Sequence, residues 1–425
     1  MNEATLHYVR QHADDDVRML ALRGCKDPDV DLPFALQQIQ GRQTARHKLP
    51  SWAAIEGIQY PVHLSMEQCS SEQTARYKQQ LCRRLLSEMT TDRRLLSEKP
   101  GNTMLLDLTG GFGVDFIFMS EVFDEALYVE RNASLYDVAS ANIALLCQHA
   151  TALCADGIDV LQQTAHATVI FLDPARRDDH GGRTYGIADC TPNVLDILQQ
   201  LLQKADFVVL KLSPMLDWRK AVQDLGEQYV REVHIVSTAN ECKELLVVLS
   251  SEGHPLTLHC QNDDQQFCPM GAISPMRPMG PVSPMSPVSP MSPIGPMSPI
   301  GSIGPYLYEP NASIMKAGCF AELAAQFGLT AIAPNSHLFF SSLLVDAFPG
   351  RIFRVMAVTT MNKRDLKAAL GPLTQANITT RNFPLSVAEL RSRLKMKDGG
   401  ETYIFATTQA DGTRILIVCR KVHSS

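Results

Sequence analysis

Four carboxylates stand at or next to the ends of short apolar runs, and their spacing suits a grip on a nucleoside. Asp107 lies in the run from Thr103 to Leu108, Glu130 ends Ala126 to Val129, Asp156 follows Thr151 to Cys154, and Asp173 ends Thr168 to Leu172. A carboxylate at the C-terminal edge of a strand can accept both ribose hydroxyl protons, and Glu130 takes that place after Asp107. Gly110, Gly111 and Gly113 follow Asp107 at once, where a backbone turns tightly and approaches a ligand closely. Phe116 occupies the place of the third glycine in GxGxxG, which argues against a nicotinamide or flavin enzyme. GxxxxGK[ST] is absent too, so a P-loop is not expected. Two further groups have the right types for chemistry: the stretch DPARR from Asp173, with Pro174, Arg176 and Arg177, and Lys211 at the end of a later apolar run.

Strands alternating with helices must position these residues. After the first four come strand signals at Phe207–Leu212, Val233–Val236 and Glu244–Leu249, with helices near Leu135–Leu146 and Thr191–Lys204. This predicts an α/β, Rossmann-like doubly wound sheet whose last two strands form an antiparallel hairpin. Val138, Ala141 and Leu145 are predicted to pack on it. Residues 1–98 read as an N-terminal helical domain, with Leu81, Leu85 and Met89 at helical spacing and a break at Pro100–Gly101.

The catalytic domain is expected over 99–252 and a linker over 253–305. Within that linker every third residue from Pro275 to Pro299 is proline, which leaves polyproline II or disorder and a tether role. Residues 306–350 predict one amphipathic helix, Ser313–Phe327. Residues 351–425 predict strands Phe353–Thr359, Tyr403–Thr407 and Arg414–Cys419, helices Lys363–Leu370 and Leu385–Leu394, and hairpin turns at Gly399–Gly400 and Asp411–Gly412.

Charge is unevenly distributed. The chain of 425 residues carries a net −6, yet residues 351–425 hold 13 Lys or Arg against 5 Asp or Glu, leaving 26 against 40 elsewhere. A basic module on an acidic chain suits a polyanion such as RNA, and a solvated basic face is the plainer alternative. Arg391, Arg393, Lys395 and Lys397 alternate with Leu394 and Met396, so they also fit the end of a half-buried helix. Arg42, Arg46 and Lys48 beside Trp52 either touch RNA or end a helix that packs Trp52 inward. Eleven cysteines never come within six positions of one another, so no zinc motif and no metal is expected, and reduced thiols are. The opening MNEATLHYVRQHADDD lacks the pattern of a signal peptide, and no apolar run has membrane length. A soluble, cytoplasmic protein is expected.

The order and spacing from Lys99 to Ser251 resemble the class I S-adenosylmethionine-dependent methyltransferases. That resemblance implies S-adenosylmethionine as cofactor, with Asp107, Gly111 and Gly113 beside its methionine part. Glu130 would hold the ribose and Asp156 the adenine amine. Thr109 and Gly110 complete the implied cofactor set, Thr109 standing where the family usually has a glycine.

The whole chain is similar to a narrower group, bacterial THUMP-like methyltransferases with a ferredoxin-like segment, found mainly in Bacteroidetes. The segments carrying this likeness are GRQTARHKLPSW from Gly41, LSMEQCSSEQTARYK from Leu64, DLTGGFGVD, DPARR, YLYEPNASIMKAG from Tyr306 and RNFPLSVAELRSRLK from Arg381. It implies a ferredoxin-like segment at 306–350 and a basic THUMP-like domain at 351–425.

The expected activity is therefore methylation of a base in RNA, with Asp173, Pro174, Arg176 and Lys211 as the catalytic set. Arginines where amino-directed enzymes carry an aromatic ring argue against an exocyclic amine target and for a phosphate or carboxylate clamp, or else for surface pairs with Asp178 or Asp179. A thiolate route would call on Cys190 or Cys242. A small-molecule or protein substrate, or an inactive RNA-binding protein, are the alternatives.

Overall fold

Asparagine or aspartate starts each of the first three helices. The computed structural model describes residues 2–95, 101–176, 186–270 and 303–422. Pro100, Arg177, Asp178, Asp179 and the proline repeat 275–299, on which the sequence sets expectations, lie outside them. The first helices are α1 (Glu3–Gln11), α2 (Val17–Arg23), α3 (Leu32–Lys48), α4 (Pro50–Ala53), α5 (His63–Gln68) and α6 (Glu72–Leu95). Asn2, Asp16 and Asp31 accept first-turn N–H groups of α1, α2 and α3, each such cap stabilising by about 1 kcal/mol. Val9, Leu20, Ala35 and Ile39 form their core. None of the described helices is long and apolar enough to cross a membrane.

The chain divides into two units, residues 1–231 with 245–254, and residues 232–244 with 255–425. In the first, strands β1 (Met104–Asp107), β2 (Glu125–Glu130), β3 (Ala150–Cys154), β4 (Ala167–Leu172) and β5 (Ala205–Leu212) lie parallel in the order β3-β2-β1-β4-β5. All six residues of β4 are buried, as suits a strand covered on both faces. Between the strands run α7 (Val114–Ser120), α8 (Ala133–Leu146), α9 (Gly157–Gln163) and α10 (Val194–Lys204), and α11 (Trp218–Leu225) follows β5. Strands β6 (Val230–Thr238) and β7 (Glu241–Leu249) are joined by Ala239 and Asn240, both at positive φ, and Leu245–Leu249 pairs antiparallel with β5. Two adjacent positive-φ residues are what a tight hairpin requires.

The second unit contains the parallel pair of β6 with β8 (Thr257–Asn262), β8 being antiparallel to β9 (Gln265–Phe267). A separate sheet is built from β10 (Tyr306–Pro310), β11 (Thr330–Ala331), β12 (Phe339–Ser341), β13 (Gly350–Thr360), β14 (Asn377–Arg381), β15 (Thr402–Thr408) and β16 (Arg414–Lys421), in the order β11-β12-β10-β13-β16-β15-β14. Helices α12 (Ala312–Ala317), α13 (Phe320–Phe327), α14 (Lys363–Leu370) and α15 (Val387–Leu394) complete the unit. Alternation along β15 and β16 sends Ile404 and Leu416 into one core with Leu390, and Phe405, Ile415 and Ile417 into another with Phe353.

Several expectations are corrected. The helix predicted over Ser313–Phe327 is two helices, because Gly318 takes a left-handed φ of 69° and ends the first. The face of α8 is Ala139, Asn142 and Ile143, while Leu145 is exposed and Val138 and Ala141 are half-buried. The cause is Asn142, which exchanges two 2.9 Å hydrogen bonds with the Gln59 backbone and so turns a polar residue inward. Gly399–Gly400 is no hairpin, since it leads into β15, which runs parallel to β14; Asp411–Gly412 does join antiparallel strands. The span 253–305 is not linker throughout, because Thr257–Asn262 and Gln265–Phe267 are strands. Their mixed polar sequence carries no strong apolar run, as is also true of the missed β14.

Candidate active site

The end of β1 runs into a turn whose glycines are favoured by a close neighbour at Gly110 and by backbone conformation at Gly111 and Gly113. Asp107 Oδ1 accepts the Thr109 N–H at 2.9 Å, closing the first step of the turn. Gly110 donates its N–H to Val129 O at 2.8 Å, and a Cβ there would lie 2.0 Å from the Tyr128 ring. Tyr128 in turn donates its hydroxyl hydrogen to Gly111 O. Gly111 at φ 57° and Gly113 at φ 85° hold left-handed conformations, Gly113 capping α7. Glu130, the last residue of β2, accepts from Gly111 N at 2.9 Å through Oε2 and from Asn132 N at 2.7 Å through Oε1. The carboxylate expected to hold a ribose is thus itself held rigidly against the turn.

The next two strands bring their acids to the same edge. Asp156 caps α9, Oδ1 accepting the Ile158 N–H at 2.8 Å. Gly157 presses on the turn, since a Cβ there would lie 2.2 Å from Leu108 O. Thr109, which departs from the family glycine, accepts the Asp173 N–H on Oγ1 at 2.6 Å and so fastens the end of β4 to the glycine turn. Pro174 is buried, and Ala175–Arg176 pairs antiparallel with Cys190–Thr191.

Charge at this edge runs in a chain that sequence reasoning missed in part. Lys211, at the end of β5, contacts Asp173 Oδ2 at 2.6 Å and Asp115 Oδ2 at 3.2 Å. On its other oxygen Asp115, in the first turn of α7, faces Lys78 of α6 at 3.1 Å, and Ser70 donates its hydroxyl to Oδ2 at 2.8 Å. Burial alone would raise the Asp115 carboxyl, but the Lys211 and Lys78 ammonium groups and the Ser70 hydroxyl outweigh it and hold it at about 2. Asp107 goes the other way: burial pushes its carboxyl well above the usual range, the Thr109 N–H opposing and Asp115, Asp173 and Glu130 adding to the rise.

The structure therefore brings together Asp107, Thr109, Gly110, Gly111, Gly113 and Glu130 at the turn, and Asp173 and Lys211 beside it, and adds Asp115, Lys78 and Ser70. Lys78 is wholly buried, in the helical row Thr74–Lys78–Cys82, and a lysine in a buried row needs a charged partner. Trp52 packs inward, its ring 5.4 Å from Phe112 and 6.2 Å from Phe118. Lys48 donates to Met66 O and Glu67 O, and Arg46 pairs with Asp14, so these two side chains bond within the helical region itself. Cys190 is buried, and burial raises the Cys242 thiol, against a thiolate nucleophile at either place.

A parallel sheet presenting acids at successive strand ends around a left-handed glycine turn defines the Rossmann-like class I methyltransferase fold. Within it the chain belongs to the family of a presumed methyltransferase from Porphyromonas gingivalis, to which it is 31% identical over 99% of this chain and 98% of that one, with a TM-score of 0.77. A THUMP domain-like family matches residues 350–421 and a ferredoxin-like domain family residues 306–349. Partial likenesses include a SAM-dependent methyltransferase from Agrobacterium tumefaciens (18% identical, 41% of this chain and 62% of that one, TM-score 0.29). Another is M. capricolum TrmK in complex with S-adenosyl-homocysteine (11% identical, 36% and 63%, TM-score 0.28). No curated protein matches the sequence.

Proposed function

We propose that this chain is a cytoplasmic S-adenosylmethionine-dependent methyltransferase that acts on RNA. The observation that carries the reading is Asp173, tied by its N–H to Thr109 of the glycine turn and by Oδ2 to Lys211.

The residues at the turn fit the cofactor. Each Glu130 oxygen spends one acceptor position on a backbone N–H and keeps another for a ribose hydroxyl. Asp156 uses Oδ1 on its helix and has Oδ2 for the adenine amine. Asp107 supports the turn from inside, at 1% exposure. Bound S-adenosylmethionine supplies an electrophilic methyl group on a sulfonium. Asp173 Oδ1 makes no bond among the described residues, so it is the oxygen to accept a hydrogen from an incoming N–H or O–H nucleophile. Lys211 keeps the carboxylate from rotating away, and the Asp115–Lys78 pair fixes Lys211 in turn.

RNA as substrate rests on the second unit. Of the 13 basic residues in 351–425, Arg351 and Arg381 pair with the buried Glu309 and Arg391 pairs with Asp398; the other ten are exposed. Arg176 and Arg177 of the DPARR stretch are the expected clamp on substrate phosphate.

Calorimetric titration with S-adenosylmethionine, then methyl-labelled cofactor with total bacterial RNA, protein and small-molecule extracts, tests the reading. Label in RNA nucleosides is expected. Asp173→Ala is expected to lower turnover by about 100-fold or more with cofactor affinity kept. Absence of cofactor binding ends the enzyme reading, label in protein or metabolites ends the RNA reading, and full Asp173→Ala turnover moves the chemistry elsewhere.

A further inference from the structure

Strands β6 and β8 of the second unit set Glu232 opposite Thr257 and His234 opposite His259. Residues two apart share a face of a strand, so the four side chains form one polar patch on that face. Glu232 and His234 are buried, while the His259 side chain is 30% exposed. His234 Nε2 lies 2.9 Å and His259 Nε2 4.0 Å from Glu232 Oε2, and the imidazoles stack with 4.4 Å between centroids and 10° between planes. Thr257 Oγ1 is 3.1 Å from His259 Nε2.

We propose that Glu232, His234 and His259 bind one divalent transition-metal ion, zinc by their chemistry. A simple ion pair needs one histidine. Here a second imidazole brings its Nε2 to the same carboxylate, so two nitrogens and one oxygen stand close enough to share an ion once the partly exposed His259 ring swings out of the stack to aim its lone pair at it. The three donor atoms all lie within 4.8 Å of one another. Zinc bonds of about 2.0–2.2 Å set tetrahedral ligand atoms roughly 3.4 Å apart, between the two distances to Glu232. Two imidazoles select against magnesium and calcium, which take oxygen. Three protein ligands leave a fourth position for water, on the exposed side where His259 stands. The site clamps β6 to β8, and its ligands, from two strands, form no motif that spacing reveals.

The test uses full-length protein stripped with a chelator and titrated with zinc chloride by calorimetry, with cobalt chloride as a spectroscopic probe. One equivalent should bind, raise the melting temperature, and give cobalt d–d bands without thiolate charge-transfer bands. His259→Ala removes a partly exposed ring, and Glu232→Gln keeps the shape of its side chain. Each should weaken zinc binding by more than about tenfold. No stoichiometric uptake, equal uptake in wild type and both variants, or thiolate bands that place the ion on cysteine would overturn the proposal. The patch is then an ordinary buried ion pair.

Discussion

Asp115 gathers two ammonium groups and a hydroxyl around one carboxylate, and this sets how the folded chain answers acid. Its carboxyl titrates at about 2, against an ordinary 3.8, so the stabilisation is complete above about pH 4 and is lost as pH falls toward 2. A depression of that size is worth on the order of 2 kcal/mol. Asp107 has the opposite sign: its raised carboxyl favours folding at low pH, and that contribution is lost as pH rises above its ordinary value. Denaturant unfolding of wild type and Asp115→Asn from pH 2 to 5 tests the first, because the variant keeps the Asp107 contribution, lessened only by the part that the Asp115 charge adds to its rise. Wild type should lose about 2 kcal/mol more than the variant across the window; superimposable acid limbs would sink the assignment. Asp107, Glu130, Asp156 and Asp173 were legible in the sequence because each adjoins its own apolar run. Asp115 was not, since Ser70 lies 45 positions from it and Lys211 96, and only folding joins them. Thr109 was half legible: its departure from glycine showed, but not that the hydroxyl would serve the Asp173 backbone.

Turns and helix faces divide in the same way. The glycine turn is dictated locally, and two of its glycines are needed for different reasons. At Gly110 the obstacle is the Tyr128 ring, 2.0 Å from a Cβ; at Gly111 only the left-handed φ of 57° resists a side chain, the nearest atom being 3.9 Å away. Gly110→Ala overpacks the turn, costing about 1–3 kcal/mol, and shifts the Tyr128 ring whose hydroxyl holds Gly111 O. Gly111→Ala costs about 1–2 kcal/mol of backbone strain and displaces no neighbour. Thermal melts should show both losses, but calorimetry with S-adenosylmethionine should show the larger loss of affinity for Gly110→Ala. Equal affinity in wild type and Gly110→Ala would mean that the turn does not carry the cofactor. The face of α8 was misread because periodicity counts apolar residues, whereas Asn142 is buried by two bonds to a distant backbone. β14 escaped notice because an edge strand reading Asn-Ile-Thr-Thr-Arg buries only Ile378.

Across the whole chain, charge is sorted by region, and the structure shows which of it is available. Glu309 takes up Arg351 and Arg381 internally, while exposed cations such as Arg393 and Lys397 flank the end of α15. The remainder of the chain, with 26 basic and 40 acidic residues, repels a polyanion, so the RNA proposed as substrate would be held at 351–425. Each phosphate neutralised there adds about 0.7 to the slope of log affinity against log salt for single-stranded RNA. Arg393→Ala with Lys397→Ala should weaken RNA binding at low salt and make that slope shallower by about 1.4, with S-adenosylmethionine affinity unchanged. Filter binding or fluorescence anisotropy from low to moderate salt measures it. An unchanged slope would remove this face from the interface, and salt-insensitive binding would remove the electrostatic reading altogether. Leu390 and Met396, which anchor α15 in its core, are untouched by the two substitutions, so a shallower slope reports lost charge and not a lost fold.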